Sequence, residues 1–336
     1  MNPRRHRKGE TTSATCSRGR ASLPVIALTL LTAACGTPLT WWVSPTGRNH
    51  PLAERIWDVR AGSFILPSDL AGRLAGARFV LLGERHDNPE HHAIQARLLG
   101  GMIAAGRRPA VGFEMLSTDD ATAVARYLAG SPKDASGLGE AVSWKSSGWP
   151  DWRFYEPIAQ AALDAGLPIV ATNLSRVATD AIRRNGLAGL SAPLARRLGI
   201  EEPLGPETRD AIRRELEESH CGTVEGVTLE RMVDLQWARD ARMAEALGRA
   251  GQRDGAVLIT GAAHARTDRG VPFHLQRRLP DATVVSVGLL EVDATVDAPA
   301  GYAARFEGAL PFDYVWFTPR VDADDPCARL RAHLLD

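Results

Sequence analysis

The chain has 336 residues, a length that suits one large α/β domain with an insertion, or two domains. Its 40 basic and 40 acidic residues give a formal net charge of zero, and 44% of its residues are hydrophobic, enough to bury a core. Because the two signs of charge are interspersed and no basic stripe occurs, we expect no nucleic-acid partner.

The N terminus combines a basic leader with a short apolar stretch. Basic residues are frequent over 4–20, and the apolar stretch over 21–34 ends in small residues before Cys35. This stretch is too short to predict a membrane span, and its flanks favour a secretory signal. Residues 31–35 resemble a bacterial lipobox, in which Cys35 becomes the lipidated first residue; a plain signal peptide cut nearby is the alternative.

These features divide the chain into segments. Gly36 after the cysteine does not signal retention at an inner membrane, so we expect a lipid-anchored envelope protein, at the outer membrane and facing the periplasm. The predicted segments are a signal peptide with a lipobox-like end (1–35), a tether (36–52), an α/β domain (53–322) and a C-terminal tail (323–336).

Continuous apolar runs predict buried strands of a mostly parallel open sheet flanked by helices. Most of these runs alternate with helical patterns, and residues 131–150 predict a mobile loop. The pattern over about 177–247 is almost wholly helical and too long for a simple crossover, so it predicts a helical insertion subdomain. The predicted strands are residues 78–83, 109–114, 167–173, 256–260, 283–287 and 314–317.

Acidic, amide and imidazole side chains follow four of these strands: Glu84 with His86, Glu114, Asn173 and His264. Open α/β sheets bind ligands at the carboxyl ends of their strands, so these side chains predict one shared site. An unpaired buried carboxylate costs on the order of several kcal/mol. The carboxylates and imidazoles must therefore pair with a metal, with a ligand or with each other, and the last option leaves a purely structural cluster.

Several other residues are candidates for binding a cofactor. His91 and His92 fall in the first turn of a predicted helix, where the helix dipole disfavours imidazolium and leaves neutral rings able to ligate, with Gln95 as a hydrogen-bond partner. An exposed polar turn is the alternative. Tyr155, in an aromatic cluster, suits a flat ligand with an oxygen axial ligand, or simple core packing.

Four further residues also allow more than one interpretation. His220 lies at a helix end and is either a ligand or part of a helix cap. Arg266 either binds an acidic group or forms a loop ion pair. Cys221 and Cys327 would remain after processing, and in an oxidising compartment they are able to pair, although the sequence does not establish that they do.

The motifs together resemble the ChaN-like family of the haem-binding uptake, Tiki superfamily, which includes erythromycin-esterase-like enzymes. Two G-x-x-H elements, Gly83–His86 and Gly261–His264, are the hallmark. The resemblance covers about residues 51–320 and rests also on these segments: His91-His92 with Gln95, Phe113-Glu114-Met115, Ala171-Thr172-Asn173, His220-Cys221-Gly222, Gln236 with Asp240, and Gly270-Val271-Pro272.

The resemblance implies an envelope lipoprotein that binds haem during haem and iron uptake, with an outer-membrane haem receptor or another uptake component as partner. Dimeric members that hold haem at the subunit interface would fit a site on an open sheet edge, so a homodimer is one expectation. The residues implied in haem binding are His86, His91, His92, Tyr155, Asn173, His220, His264 and Arg266, with Arg266 facing a propionate.

The alternative is a metal-dependent hydrolase, a peptidase or esterase of the same superfamily. A divalent metal ion would then be held by Glu84, His86 and His264. The catalytic residues would be Glu84, His86, Glu114 and His264, with Glu84 as general base or ligand. We expect a haem-binding protein rather than an enzyme.

Overall fold

The computed structural model describes residues 42–132, 134–202, 204–325 and 327–328. The predicted signal peptide and its Cys35 lie outside the described residues. Within the described ranges, no helix combines the length and the apolar character that a membrane crossing requires.

An eight-stranded sheet confirms the predicted fold class. Strands β3 to β8 run parallel, whereas β1 and β2 form an antiparallel hairpin that extends the β8 edge, in the order β2-β1-β8-β7-β3-β6-β4-β5. The hairpin has only three residues in each strand, too few to give a clear pattern, and the sequence did not predict it. The strands are β1 (Ile56–Asp58), β2 (Ser63–Ile65), β3 (Phe79–Glu84), β4 (Ala110–Ser117), β5 (Ile169–Asn173), β6 (Ala256–Gly261), β7 (Val284–Glu291) and β8 (Tyr314–Thr318).

Helices cover the sheet and build the predicted insertion. Their bounds are α1 (Pro67–Gly76), α2 (Pro89–Ala104), α3 (Ala121–Ala129), α4 (Ser136–Ala141), α5 (Trp152–Asp164), α6 (Arg176–Asn185), α7 (Ala192–Leu198), α8 (Pro206–Ser219), α9 (Gly226–Ala250), α10 (Val271–Arg278) and α11 (Pro299–Tyr302). Asn88 caps α2, because its side-chain oxygen accepts from the backbone N–H groups of Glu90 and His91.

The insertion between β5 and β6 consists of α6 to α9. The long helix α9 contacts β4, β5 and β6, so it also serves as the crossover helix of the parallel sheet. Helices α6, α7 and α8 pack on α9 around a small apolar core that includes Ile182, Leu198, Ile212 and Val233. This core is separate from the main core, in which α9 and α10 pack on the sheet.

Two segments expected to be loose are packed instead. Within 131–150, α4 and a short helical turn (Trp144–Ser146) are ordered and Trp144 is buried, so the mobile-loop prediction is wrong there. The described part of the predicted tether, from residue 42, also packs on the domain. Ser44 donates from its backbone N–H and its hydroxyl to the buried carboxylate of Glu90, and Leu52 enters the main core.

A disulfide joins Cys221, just after α8, to Cys327 in the C-terminal segment, with their Cα atoms 5.5 Å apart. The sequence left this pairing open because 106 residues separate the two cysteines. The bond attaches the predicted tail to the helical insertion.

Candidate functional site

Two glycines on adjacent strands make room for the site. Gly261, paired with Glu84 in the sheet, would with a Cβ place that atom 2.9 Å from Nε2 of His86. Gly83 would meet the Cβ of Ala265 at 2.7 Å. Both distances are shorter than real Cβ contacts allow, so glycine lets the His86 ring and the loop after β6 approach the strands closely.

Glu84 is the centre of one half of the site. Its Oε1 accepts from the hydroxyl of Tyr155 at 3.1 Å and from Nδ1–H of His86 at 2.9 Å. Its Oε2 lies 3.2 Å from Nδ1 of His92. The Nε2–H of His92 donates to the backbone carbonyl of His86 at 3.0 Å. Oε2 and this Nδ1 are both buried and face each other inside the site.

Glu114 is the centre of the other half. Its Oε2 accepts from the Thr260 hydroxyl at 2.8 Å and from the backbone N–H of Gly261 at 2.7 Å. Its Oε1 accepts from Arg239 at 2.5 Å and lies 3.3 Å from Nε2 of His264. Burial raises the pKa of Glu114, but His264 and Arg239 outweigh burial and hold this pKa well below its usual range. The carboxylate therefore stays ionised.

His264 bridges two carboxylates. Its Nδ1–H donates to Asp240 at 2.6 Å, and its Nε2 faces Glu114. Burial lowers the pKa of His264, but Glu114 and Asp240 raise it more strongly, to about 9. Burial raises the pKa of Asp240 to about 6, against the opposing effect of His264. Near neutral pH the group is therefore an imidazolium held between two carboxylates.

His86 connects the two halves and is the member most open to solvent. Its Nε2 lies 4.0 Å from Oε2 of Glu114, and its side chain is 31% exposed beside the ring of Trp149, at a centroid distance of 4.9 Å. Burial lowers the pKa of His86, but Glu84 and Glu114 reverse this effect and raise it. His86 and His264 thus face the same carboxylate from two different strand ends.

Asn173 supports this arrangement from β5. Its side-chain amide donates to the backbone carbonyl of Glu114 at 2.8 Å, and its oxygen accepts from the backbone N–H of Leu174. The structure therefore brings Glu84, His86, Glu114, Asn173 and His264 together at the carboxyl edge of the sheet.

His91 is not placed to ligate. Its Nδ1 accepts from the backbone N–H of Arg85 at 2.8 Å, and its Nε2–H donates to the hydroxyl of Thr318 at 2.8 Å. Burial, together with the neighbouring His92, holds the pKa of His91 well below its usual range. The ring is neutral, as the helix position suggested, but both nitrogens are occupied. Its role is to fix the start of α2 against β8.

His92 and Gln95 also differ from the expectation. His92 is buried between Glu84 and the ring of Tyr155, so it belongs to the Glu84 network and does not face an opening. Gln95 bonds neither histidine, because its amide donates to the backbone carbonyl of Leu82. Both residues fix the position of the first G-x-x-H element.

Tyr155 is fully buried among Trp144, Trp152 and His92. Burial raises the pKa of its phenol far above the usual range, and the Glu84 carboxylate adds to this rise. The phenol is therefore a protonated donor to Glu84; its expected role as an axial ligand stays a prediction.

Arg266 lies in a separate ion cluster. It is 2% exposed and pairs with Asp268 at 2.7 Å, and Glu215 and Arg269 extend the cluster to α8. Its guanidinium is thus held in loop and helix contacts; the expected contact with a propionate stays a prediction.

His220 faces a different environment, a cavity of about 600 Å³ between α6, α8 and α9. We call it the insertion cavity; its lining residues are Arg183, Leu216, His220, Val227, Thr228, Arg231, Met232, Leu235, Gln236 and Arg239. Gln236 also contacts His264 at 3.2 Å, and Arg239 contacts Glu114 at 2.5 Å. The inner end of this cavity therefore adjoins the strand-end cluster, our name for Glu84, His86, Glu114, Asn173 and His264.

Sequence reasoning did not single out Arg239 or Trp149. Arg239 lies three residues after Gln236 on α9, next to Asp240, and this spacing places these side chains on neighbouring positions of one helix surface. That spacing was the available signal. For Trp149 the sequence offered no comparable signal, because this residue lies in a segment expected to be a loop.

No three His, Cys, Asp or Glu side chains are arranged to hold a metal ion in the part of the chain that the structure describes. Glu84, His86 and His264, the predicted metal ligands, instead pair with residues of the cluster. The metal-dependent hydrolase stays a prediction.

Comparisons with known proteins agree with the fold. No curated protein matches the chain significantly. Among solved structures, one described as cofacial haem binding to ChaN of Campylobacter jejuni aligns with a TM-score of 0.60 at 22% identity, over 78% of this chain and 95% of that one. Other solved structures align with TM-scores below 0.5. Among them are the type III effector HopBA1 (TM-score 0.39, 13% identity, 74% of this chain and 91% of that one) and an erythromycin esterase variant in its open conformation (TM-score 0.38, 14% identity, 68% of this chain and 73% of that one).

The family model described as haem-binding uptake, Tiki superfamily, ChaN matches residues 70–275, which contain both G-x-x-H elements and the whole insertion. The chain therefore belongs to the ChaN family of haem-binding uptake proteins.

Proposed function

We propose that this protein is an envelope lipoprotein that binds haem in the insertion cavity and takes part in haem and iron uptake. The observation that carries the proposal is that, in a member of a haem-binding family, the insertion cavity is lined by apolar residues, arginines and a histidine. In this role haem is the cargo that the protein carries.

The lining of the cavity suits an apolar ring that carries carboxylates. Leu216, Met232 and Leu235 offer apolar surface, whereas Arg183 and Arg231 are cations, and no lining residue is acidic. The Nε of Arg231 is buried without a hydrogen-bond partner. A volume of about 600 Å³ also lies within the usual range for ligand cavities, roughly 300–1,000 Å³.

His220 is the residue we propose as ligand of the haem iron. Its Nδ1 lies 2.7 Å from the backbone carbonyl of Leu216, which can only accept, so Nδ1 carries the proton. The lone pair is then on Nε2. A hydrogen bond from Nδ1–H to a backbone carbonyl is also the usual way in which a ligating histidine is oriented.

We further propose that the protein acts as a homodimer. The Campylobacter structure is described as cofacial haem binding, an arrangement that needs two haem groups. One insertion cavity in each chain would supply them in a symmetric pair. Size-exclusion chromatography with light scattering, with and without haem, would show a dimer; a monomer in both states would contradict this part.

The location belongs to the same proposal. The lipobox-like end at Cys35 supports a lipid anchor, and an outer-membrane haem receptor or another uptake component would be the partner. The Cys221–Cys327 disulfide supports an oxidising compartment such as the periplasm. Cell fractionation with mass analysis of the N-terminal peptide tests this; an unlipidated protein that stays in the cytosol would contradict it.

Hemin titration of the purified protein, followed by the Soret band, tests the haem site. We expect a stoichiometric shift that is lost in His220→Ala and weakened in Arg231→Ala, because the first removes the ligand and the second a cation. His50→Ala is a matched control, since His50 does not line the cavity. Tyr155→Phe should leave the spectrum unchanged. A normal spectrum for His220→Ala would rule out the proposed ligand.

A further inference from the structure

A second cavity lies between α4, the short helical turn Trp144–Ser146 and the start of α5. Its volume is about 480 Å³, and we call it the α4–α5 cavity. This volume is within the usual range for small-molecule sites, roughly 300–1,000 Å³. The α4–α5 cavity shares no lining residue with the insertion cavity, so it is a separate candidate site.

Two indole rings form the apolar part of this cavity. The rings of Trp144 and Trp152 meet edge to face, with their centroids 4.7 Å apart. The indole N–H of Trp144 donates to the backbone carbonyl of Pro150 at 2.7 Å, and that of Trp152 donates to the backbone carbonyl of Ala135 at 3.1 Å. Because both polar atoms are already bonded, the rings offer apolar surface to a ligand. They are also held in place before a ligand arrives, which reduces the entropy cost of binding.

The backbone around the rings is shaped for close packing. A Cβ at Gly139 would lie 2.7 Å from the ring of Trp152, closer than real Cβ contacts allow, so glycine lets this ring pack on α4. Ser143, another lining residue, lies in the left-handed region at φ +53°. This conformation is disfavoured for a residue that has a Cβ, and such strained positions cluster at ligand sites.

Two charged side chains at the rim have no ionic partner. Glu140 and Lys145 are exposed lining residues, and neither forms an ion pair with a residue that the structure describes. The other two charged lining residues, Asp151 and Arg153, pair with each other at 2.7 Å. The free charges are of opposite sign, so they complement a ligand that carries both a carboxylate and an ammonium group.

We infer that the α4–α5 cavity binds a free aromatic amino acid, with its ring against Trp144 and Trp152, its carboxylate at Lys145 and its ammonium at Glu140. Aromatic rings attract one another beyond the area that they bury, which favours an aromatic over an aliphatic side chain. Each charged contact lies at the solvent boundary, so we expect it to change the Kd about fivefold, equivalent to about 1 kcal/mol.

The test is titration of the full purified chain with phenylalanine, followed by tryptophan fluorescence at an excitation wavelength that phenylalanine does not absorb. Three other compounds each lack one feature: phenethylamine has no carboxylate, 3-phenylpropionate has no ammonium group and leucine has no ring. We expect each to bind about fivefold more weakly than phenylalanine. Absence of saturable binding of phenylalanine would overturn the inference, and so would any of the three binding as tightly.

Two exposed substitutions assign the charged contacts. Lys145→Gln should weaken phenylalanine about fivefold and leave phenethylamine unchanged, because that compound has no carboxylate. Glu140→Gln should weaken phenylalanine by the same factor and leave 3-phenylpropionate unchanged. Glu207→Gln is the matched control, since this exposed residue of α8 does not line the cavity. A uniform loss of affinity for all the compounds would overturn the proposed contacts.

Hemin separates this site from the proposed haem site. Equilibrium dialysis with labelled phenylalanine should give the same Kd with and without saturating hemin, because the two cavities share no lining residue. Displacement of phenylalanine by hemin would assign the α4–α5 cavity to haem and overturn the inference.

Discussion

The charge of His264 predicts a specific pH dependence of stability. Burial lowers the pKa of this histidine, but Glu114 and Asp240 raise it more, from an ordinary 6.5 to about 9. Each pKa unit is worth about 1.4 kcal/mol, so the rise corresponds to roughly 3 kcal/mol. Because the folded state holds a proton that the unfolded state has lost, this stabilisation is complete below pH 6.5 and disappears as the pH rises through 9.

The comparison variant is His264→Gln with Asp240→Asn, which removes both coupled groups and keeps polar side chains of similar size. Asp240 must be changed too, because its own raised pKa, about 6, would move further once the imidazolium is gone. Urea unfolding followed by circular dichroism should be measured at intervals from pH 6 to pH 10. The difference in unfolding free energy between wild type and variant should shrink by roughly 3 kcal/mol over this range. A constant difference would refute the reasoning.

Four further substitutions test three local features. Gly261→Ala should displace His86 and cost about 1–3 kcal/mol of unfolding free energy. Its control is Gly101→Ala, at a helical position with open space, which should instead stabilise the fold by about 0.5–1 kcal/mol. Equal effects of the two substitutions would contradict the idea that Gly261 is needed for the close approach of the His86 ring. Asn88→Ala should cost about 1–2 kcal/mol in thermal or chemical unfolding through loss of the α2 cap; no change would show that the cap is dispensable. Ser44→Ala should speed limited proteolysis near residue 44, and unchanged cleavage would mean that other contacts hold this segment.

The fold and the shared edge were largely predictable from the sequence. Long apolar runs such as residues 79–82 mark buried parallel strands, and parallel strands end at the same edge. The convergence of Glu84, Glu114 and His264 follows from these two facts. The three-residue strands Ile56–Asp58 and Ser63–Ile65 have no such signal, because their pairing depends on contacts with β8 far along the chain.

The roles of individual side chains were harder to predict. The positions of His91 and Tyr155 near the site follow from sequence order, but what their polar atoms contact depends on other elements. The hydroxyl of Thr318 in β8 bonds one nitrogen of His91, and Glu84 accepts a hydrogen bond from the hydroxyl of Tyr155. The insertion cavity likewise forms between three helices whose relative packing no local pattern describes.

The location of iron in haem-loaded crystals tests the account most directly. Anomalous diffraction at the iron edge should show a peak in the insertion cavity, within bonding distance of Nε2 of His220. A peak beside Tyr155, or at His86 on the strand-end cluster, would contradict the proposed haem site.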